Sequence, residues 1–275
     1  MKKRSLLLIL ALCFTVLGFT ASLVIKGSNT IFPIAQVWIE HLSALKPELE
    51  ITLEGAGSST GISALFSGTC DIANSSRWLK TGEIEKMATE KKYFMPVIVG
   101  YDGIALIVNK ELGIDSISID NLKAIYTGKA KTWNQIDPNL PKQAIMAYSR
   151  NTASGTFEIF SEKVLGGEKM SPQIRLIEST QLEIESVERN PYAIAYVGIG
   201  YVTEHVKALT VEGVLPSRET ILSSAYPISR PLYLFIDVTK GFPGTGPVRD
   251  YLLFALSKTG QELLEEAGYI AAYGF

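Results

Sequence analysis

LVIKGSNTIFPIAQVWIEHLSAL, residues 23–45, carries the pattern on which the fold turns. Leu23 to Lys26 is a short apolar strand. Gly27, Ser28, Asn29 and Thr30 form a polar turn, and Ile34, Val37, Trp38, His41, Leu42 and Leu45 then recur at the spacing of one helix face. Such a unit sets hydroxyl and amide groups at a helix entrance, where backbone N–H groups lack partners and the helix dipole is positive. The same order returns twice. Glu50 to Glu54 reads as a strand, Gly55 to Thr60 as a turn and Gly61 to Phe66 as a helix. Ile145 to Tyr148 then leads through Ser149, Arg150, Asn151, Thr152, Ala153, Ser154, Gly155 and Thr156 into a helix predicted over 157–165.

Working outward, Pro96 to Asn109 is a β-rich stretch broken by Gly100, Tyr101, Asp102 and Gly103, which reads as a crossing between two bodies. Asp120 to Thr127 is a short helix closed by Gly128, and Ala193 to Val197 is a buried strand. Ile228 to Ile236, after Tyr226 and Pro227, reads as a second crossing, and two amphipathic helices over 247–256 and 258–267 close the chain. A length of 275 residues exceeds one ordinary core. Strands alternating with helices around two crossings predict an α/β protein of two lobes about a cleft. The expected bounds are 23–101 with 229–275 for the first lobe and 102–228 for the second, inserted lobe.

Lys2, Lys3 and Arg4 precede an apolar run from Leu6 to Phe19 that ends in Thr20, Ala21 and Ser22, the three-part pattern of a secretory signal. Residues 1–22 are therefore expected to be removed, with the mature chain exported to the periplasm or cell envelope. Cys13 follows the bulky Leu12, so a lipid anchor there is not expected. Removing that segment takes three basic and no acidic residues and moves the formal charge from −2 to −5, a balance that does not favour nucleic acid. Cys70 alone remains, so no intramolecular disulfide is expected; with only His41 and His205, no zinc-type ligand cluster is legible, and no cofactor or metal is expected.

The chemistry lies in the three polar turns: Asn29 and Thr30, then Ser58 to Thr60, then Ser154 to Thr156. Ser, Thr and Asn are the ordinary N-caps of helices, which accounts for any one turn alone. Three converging starts would hold an oxyanion through neutral dipoles. Gly27, Gly57, Gly61 and Gly155 let backbone approach a ligand closely, and Arg150 offers a planar fork suited to phosphate.

At these residues the chain resembles the phosphate-binding proteins of the high-affinity phosphate ABC transporter, within the periplasmic solute-binding proteins. The resemblance runs through GSNTIFP (27–33), GAGSSTGI (55–62), DIANSSR (71–77) and YDGIALIVN (101–109). It continues through YTGKAKTWNQI (126–136), SRNTASGTFEIF (149–160), AIAYVGIGYV (193–202) and YPISRPLYLF (226–235). It implies the type II two-lobed fold of those proteins, each lobe a mixed sheet flanked by helices with two crossing strands at the hinge. It also implies a monomeric receptor that closes on inorganic phosphate and passes it to an ABC permease. Carried over by position, Thr30, Ile31 and Ser58 bind from one lobe and Arg150, Ser154, Gly155 and Thr156 from the other.

Two departures concern negative charge. Ser76 stands where the best-known members carry an Asp that accepts the phosphate proton, and Asn151 and Thr152 follow Arg150 where an acidic partner is frequent. Asp102 is a candidate replacement acceptor or a hinge cap, Arg77 a candidate second cation, and Asn29 and Ser75 are secondary candidates. The expectation is a site that favours the dibasic ion, with other tetrahedral oxyanions as the alternative ligands. Two enzyme readings stand against this. Gly57, Ser58, Ser59, Thr60 and Gly61 spell G-x-S-x-G, which would make Ser59 a hydrolase nucleophile with His205 as base. A phosphate-binding G-x-x-x-x-G-K-[ST] loop is absent, since Gly128 and Lys129 are followed by Ala130. An exported adhesin is also compatible with the sequence.

Overall fold

A computed structural model describes residues 21–274. Most of the expected signal, with Cys13, lies outside them. Ala21 and Ser22 lie inside, as the exposed first residues of β1 (Ala21–Gly27), paired with Leu49 and Glu50. The elements alternate: α1 (Phe32–Leu45), β2 (Leu49–Gly55), α2 (Ser58–Ser67), β3 (Ile72–Ser75), α3 (Thr81–Glu90) and the long β4 (Phe94–Val108). Next come β5 (Ser116–Ile117), α4 (Ile119–Tyr126), β6 (Met146–Arg150), α5 (Gly155–Phe160), β7 (Arg175–Ile177), α6 (Thr180–Glu188), β8 (Ala193–Gly198), β9 (Lys207–Val211) and α7 (Arg218–Leu222). β10 (Ser229–Asp237), α8 (Pro247–Leu256), α9 (Lys258–Glu266) and β11 (Ile270–Ala271) close the chain.

The fold is the two-lobed α/β architecture expected from the alternation. Paired strands run β2-β1-β3-β10-β4-β8-β6-β7, with β11 added to β4, and β9 pairing with both β4 and β5. β1, β2 and β3 are parallel, as are β8, β6 and β7, while β10 and β4 are antiparallel to each other and to the strands they join. β4 pairs with β10 up to Gly103 and with β8 from Ile104 onward, so one strand serves the sheets of both lobes. The interruption read at residues 100–103 is not a break. The ladder slips by one residue between Leu232 and Tyr233, leaving Val99 unpaired, and a bulge of this kind bends a strand while the pairing continues.

The apolar residues divide at the same places. Leu23, Ile25, Trp38, Ile72, Leu234 and Tyr251 belong to one core, and Ile104, Leu106, Tyr126, Trp133, Phe160 and Ile228 to another. The switch falls between Val99 and Ile104 and between Ile228 and Leu232. Ile104 to Val108 are buried at every position, as befits a strand covered on both faces. In α1, Pro33 stands in the first turn, where its fixed φ and missing N–H suit a helix start, and Ile34, Trp38 and Leu42 form the inward stripe. Trp38 anchors α1 to α9 by donating from Nε1 to the Gly260 carbonyl at 2.8 Å.

Two helices start earlier than the periodicity predicts. α2 begins at Ser58 rather than Gly61, and α5 at Gly155 rather than Phe157, with a π-helical turn over 161–165 completing the span. In both, a small polar residue occupies the first turn, where no apolar spacing marks it. α6 escapes the periodicity because its buried face reads Thr180, Glu183, Ile184, Val187, with a carboxylate at an inward position.

Candidate functional site

Folding brings the three polar turns together. Thr30, Ser58 and Ser76 from the first lobe and Ser149, Arg150, Ser154 and Thr156 from the second are all buried, an unusual concentration of polar side chains away from water. Ile31 and Gly155 are buried with them. Contacts join the turns across the cleft. The Thr30 and Thr156 hydroxyls lie 3.0 Å apart, Ser59 N–H donates to the Ala153 carbonyl at 3.1 Å, and the Tyr201 hydroxyl donates to the Asn29 carbonyl at 2.6 Å. A Cβ on Gly155 would fall 2.4 Å from Ser58 Oγ and 2.7 Å from Ser76 Oγ, so the second lobe presses bare backbone against the serines of the first. Asn29, Phe32, Gly55, Ser179, Thr180 and Tyr201 line a cavity at the cleft mouth.

The ordinary N-cap explanation holds for only one of the three turns. Ser154 Oγ accepts from Phe157 N–H, whereas α1 and α2 start at Ile31 and Gly57 without any side-chain cap. Gly57 has φ of 103°, a conformation that a side chain would strain, and it lets the chain pass close to Ala153. No acidic residue occupies the first turn of α1 or α2. The positive ends of these two helices are therefore left for something else to satisfy. Ser76 N–H donates to Ser58 Oγ at 3.1 Å, which fixes the Ser58 hydroxyl at the α2 entrance with its own proton directed elsewhere.

Arg150 is held by neutral acceptors. Nε donates to the Ile177 carbonyl at 3.2 Å, Nη1 to Thr180 Oγ1 at 2.8 Å and Nη2 to the Glu178 carbonyl at 2.6 Å. Three of its five N–H groups are thus engaged and two remain. The acidic partner absent at positions 151 and 152 is replaced in part from α6, where Glu183, one turn beyond Thr180, is fully buried and neither carboxylate oxygen has a hydrogen-bond partner among the described residues. Burial pushes the Glu183 carboxyl well above its usual range, with the Arg150 charge opposing; burial pushes the Arg150 guanidinium down, with Glu183 opposing.

The raised Glu183 carboxyl makes stability fall with pH. In the folded state it stays protonated over a range in which the unfolded chain, with an ordinary carboxyl near 4.5, has already ionised. Its contribution is full below that value and is lost as pH rises toward the folded-state value. Glu183→Gln keeps the shape and removes the titration, so the melting temperature of the variant relative to wild type should climb between pH 4.5 and 8. Parallel pH profiles for the two proteins would contradict this.

The secondary candidates take structural parts. Ser75 Oγ donates to the Arg77 carbonyl within its turn. Arg77 is not a second free cation: it forks onto Glu83, pairs with Glu158 across the cleft and donates to Ser59 Oγ at 2.9 Å, so acidic groups consume its charge. Asp102 is engaged by residues of both lobes. Its Oδ2 accepts from Arg230 Nε and Nη2 at 3.0 and 2.7 Å, and its Oδ1 from Ile199 N–H at 2.9 Å. Burial holds this carboxyl above its ordinary range, opposed by the Arg230 charge. Asn29 bonds across the cleft mouth to the Glu178 carbonyl. Ser59, the alternative nucleophile, accepts from Arg77, while His205, its expected base, is exposed and pairs with Glu188 instead.

Arg230, Thr180, Glu183 and Tyr269 escaped the sequence reading. A signal existed for two of them: Arg230 interrupts an apolar strand, and Glu183 falls on the inward face of α6. Tyr269, whose hydroxyl donates to the Thr30 carbonyl at 2.5 Å, carries no local mark.

Comparison with known proteins bears on the fold and the family. A family model described as the PBP superfamily domain matches residues 18–259. The phosphate-binding protein PstS of Staphylococcus haemolyticus is 29% identical over 256 residues, covering 90% of this chain and 80% of that protein. PstS of Staphylococcus aureus strain USA300 is 29% identical over 255 residues, covering 90% and 77%. Among solved structures, a putative phosphate ABC transporter substrate-binding protein with bound phosphate from Clostridium perfringens superposes with a TM-score of 0.83 at 29% identity, over 92% of this chain and 100% of that one. An ABC-type phosphate transport receptor from Vibrio cholerae superposes with a TM-score of 0.71 at 27% identity, over 90% and 99%. Sequence, sheet order and cleft all lead to one assignment: the chain belongs to the PBP superfamily, a family of solute-binding receptors.

Proposed function

We propose that this chain is an extracytoplasmic receptor that captures inorganic phosphate between its lobes and delivers it to an ABC permease. The carrying observation is the buried meeting of two uncapped helix entrances, the Ser154–Thr156 turn and a guanidinium with two spare N–H groups. Such an arrangement gives a tetrahedral oxyanion many donors and few acceptors. Phosphate in particular is supported by the relatives, which are phosphate receptors by name, one of them with phosphate bound.

The binding residues are Thr30, Ile31 and Ser58 with Ser76 from one lobe, and Arg150, Ser154, Gly155 and Thr156 from the other. Residues 23–101 with 229–275 move as one body and 102–228 as the second, hinged where β4 and β10 pass between them. The protein acts as a monomer in the periplasm or outside the membrane, with residues 1–22 as its export signal. Among the described residues no helix is long and apolar enough to cross a membrane. Binding energy that exists only with the lobes docked shifts the population to the closed form, which the permease reads.

The absence of a carboxylate at Ser76 sets the selectivity. A carboxylate acceptor penalises an anion that has no proton to donate; a serine hydroxyl can turn either way. Calorimetry with phosphate, sulfate, arsenate and molybdate is the test. Phosphate affinity should rise as the dibasic fraction grows with pH, and sulfate should compete measurably. Absence of phosphate binding would end the reading, and affinity falling with the dibasic fraction would refute the role given to Ser76.

A further inference from the structure

We propose that Arg230, on the second crossing strand, is a second anion-binding arginine, acting directly through Nη1 and indirectly through Thr30. The inference rests on the phosphate-receptor reading and adds to it a residue outside the three turns.

The side chain of Arg230 is 1% exposed and its pairing is one-sided. Nε and Nη2 donate to the same carboxylate oxygen of Asp102, at 3.0 and 2.7 Å, so the lateral edge of the guanidinium is spent on the hinge. Nη2 also donates to Thr30 Oγ1 at 3.1 Å, whereas Nη1 is buried without any partner among the described residues. A guanidinium cannot lose its charge to escape that situation, and buried donors in native proteins are paired almost without exception. The planar fork fixes where the orphaned hydrogens lie. The end of a guanidinium presents one N–H from each Nη in parallel. The Nη2 hydrogen of that end goes to Thr30, so the neighbouring Nη1 hydrogen points into the space beside the Thr30 hydroxyl. That space is the cleft, because Thr156 Oγ1 of the other lobe is 3.0 Å from Thr30 Oγ1.

The contact to Thr30 also sets a direction. A hydroxyl has one proton, and an oxygen that accepts from Arg230 keeps that proton for the opposite side. Thr30 thus has its proton free to donate toward Thr156 or toward an anion between them. Asp102 neutralises the second arginine, and it ties the pair to Ile199 N–H of the second lobe at 2.9 Å. Both crossing strands therefore place their only buried charges against the anion site. This gives a tetrahedral anion a donor fork from Arg150 on one side and a donor pair from Arg230 and Thr30 on the other.

The experiment is phosphate calorimetry on the mature wild-type chain, on Arg230→Lys, and on the double variant Arg230→Met with Asp102→Leu, which leaves no buried charge unpaired. A lysine can still pair with Asp102 but cannot span to Thr30. Each variant should bind phosphate at least tenfold more weakly than wild type while melting cooperatively without ligand. A crystal structure of the wild-type protein with phosphate should place Arg230 Nη1 in hydrogen-bond contact with a phosphate oxygen. Wild-type affinity in a folded variant, or Nη1 bonded only to water in the complex, would overturn the proposal and leave the receptor reading standing. Should the variants fail to fold, the wild-type complex decides alone. No phosphate binding by the wild-type chain would remove the receptor reading and this inference together.

Discussion

Arg150→Ala is expected to weaken phosphate binding by at least roughly tenfold, about 1.4 kcal/mol, and toward a hundredfold or more if both spare N–H groups serve the anion. Hydrogen bonds to charged groups contribute about 1.5–3 kcal/mol each. The acceptors that hold Arg150 are two carbonyls and a hydroxyl, none of which draws off its charge. Arg150→Lys should fall between, since an ammonium keeps the charge and loses the fork. Titration calorimetry checks the ranking, and wild-type affinity in the alanine variant would remove Arg150 from the site.

Gly155→Ala is expected to cost nearly as much by a different route. The added Cβ would sit 2.4 Å from Ser58 Oγ and 2.7 Å from Ser76 Oγ, and those serines belong to the opposite lobe. The clash exists only when the lobes are docked, so the open protein should melt as wild type does. Overpacking of this kind costs about 1–3 kcal/mol, charged wholly to the closed form, which corresponds to a loss of roughly ten- to a hundredfold in affinity. Calorimetry with small-angle scattering separates the steps: weak binding with no ligand-induced compaction is expected. Wild-type compaction at wild-type affinity would show that this backbone contact is not part of closure.

The fold was legible because its signals are local. The strand, turn, helix order at residues 23–45, 50–66 and 145–165 survives as β1–α1, β2–α2 and β6–α5, and the two long β-rich stretches are the strands that join the lobes. Small polar residues and glycine at the three turns marked the helix entrances for the same reason: the chemistry of a helix start lies within four residues. The shifted starts of α2 and α5, and the unread α6, show the limit of apolar spacing where a polar residue faces inward.

The partners of the charged groups were not legible. Arg77, Arg150 and Arg230 look alike as letters in a chain, each beside small or apolar neighbours. Arg77 meets Glu83 and Glu158, which cancel it; Arg150 meets carbonyls and a hydroxyl, which leave its charge available; Arg230 meets Asp102 and still keeps one nitrogen unpaired. Glu158, Glu178 and Asp102 lie 81, 28 and 128 positions away from the arginines they meet. A helix start is fixed by covalent neighbours, so the sequence alone determined where an anion would find backbone donors. Charge pairing acts through space between residues that only folding makes neighbours, so which arginine is cancelled by carboxylates and which keeps spare N–H groups was decided by the tertiary structure.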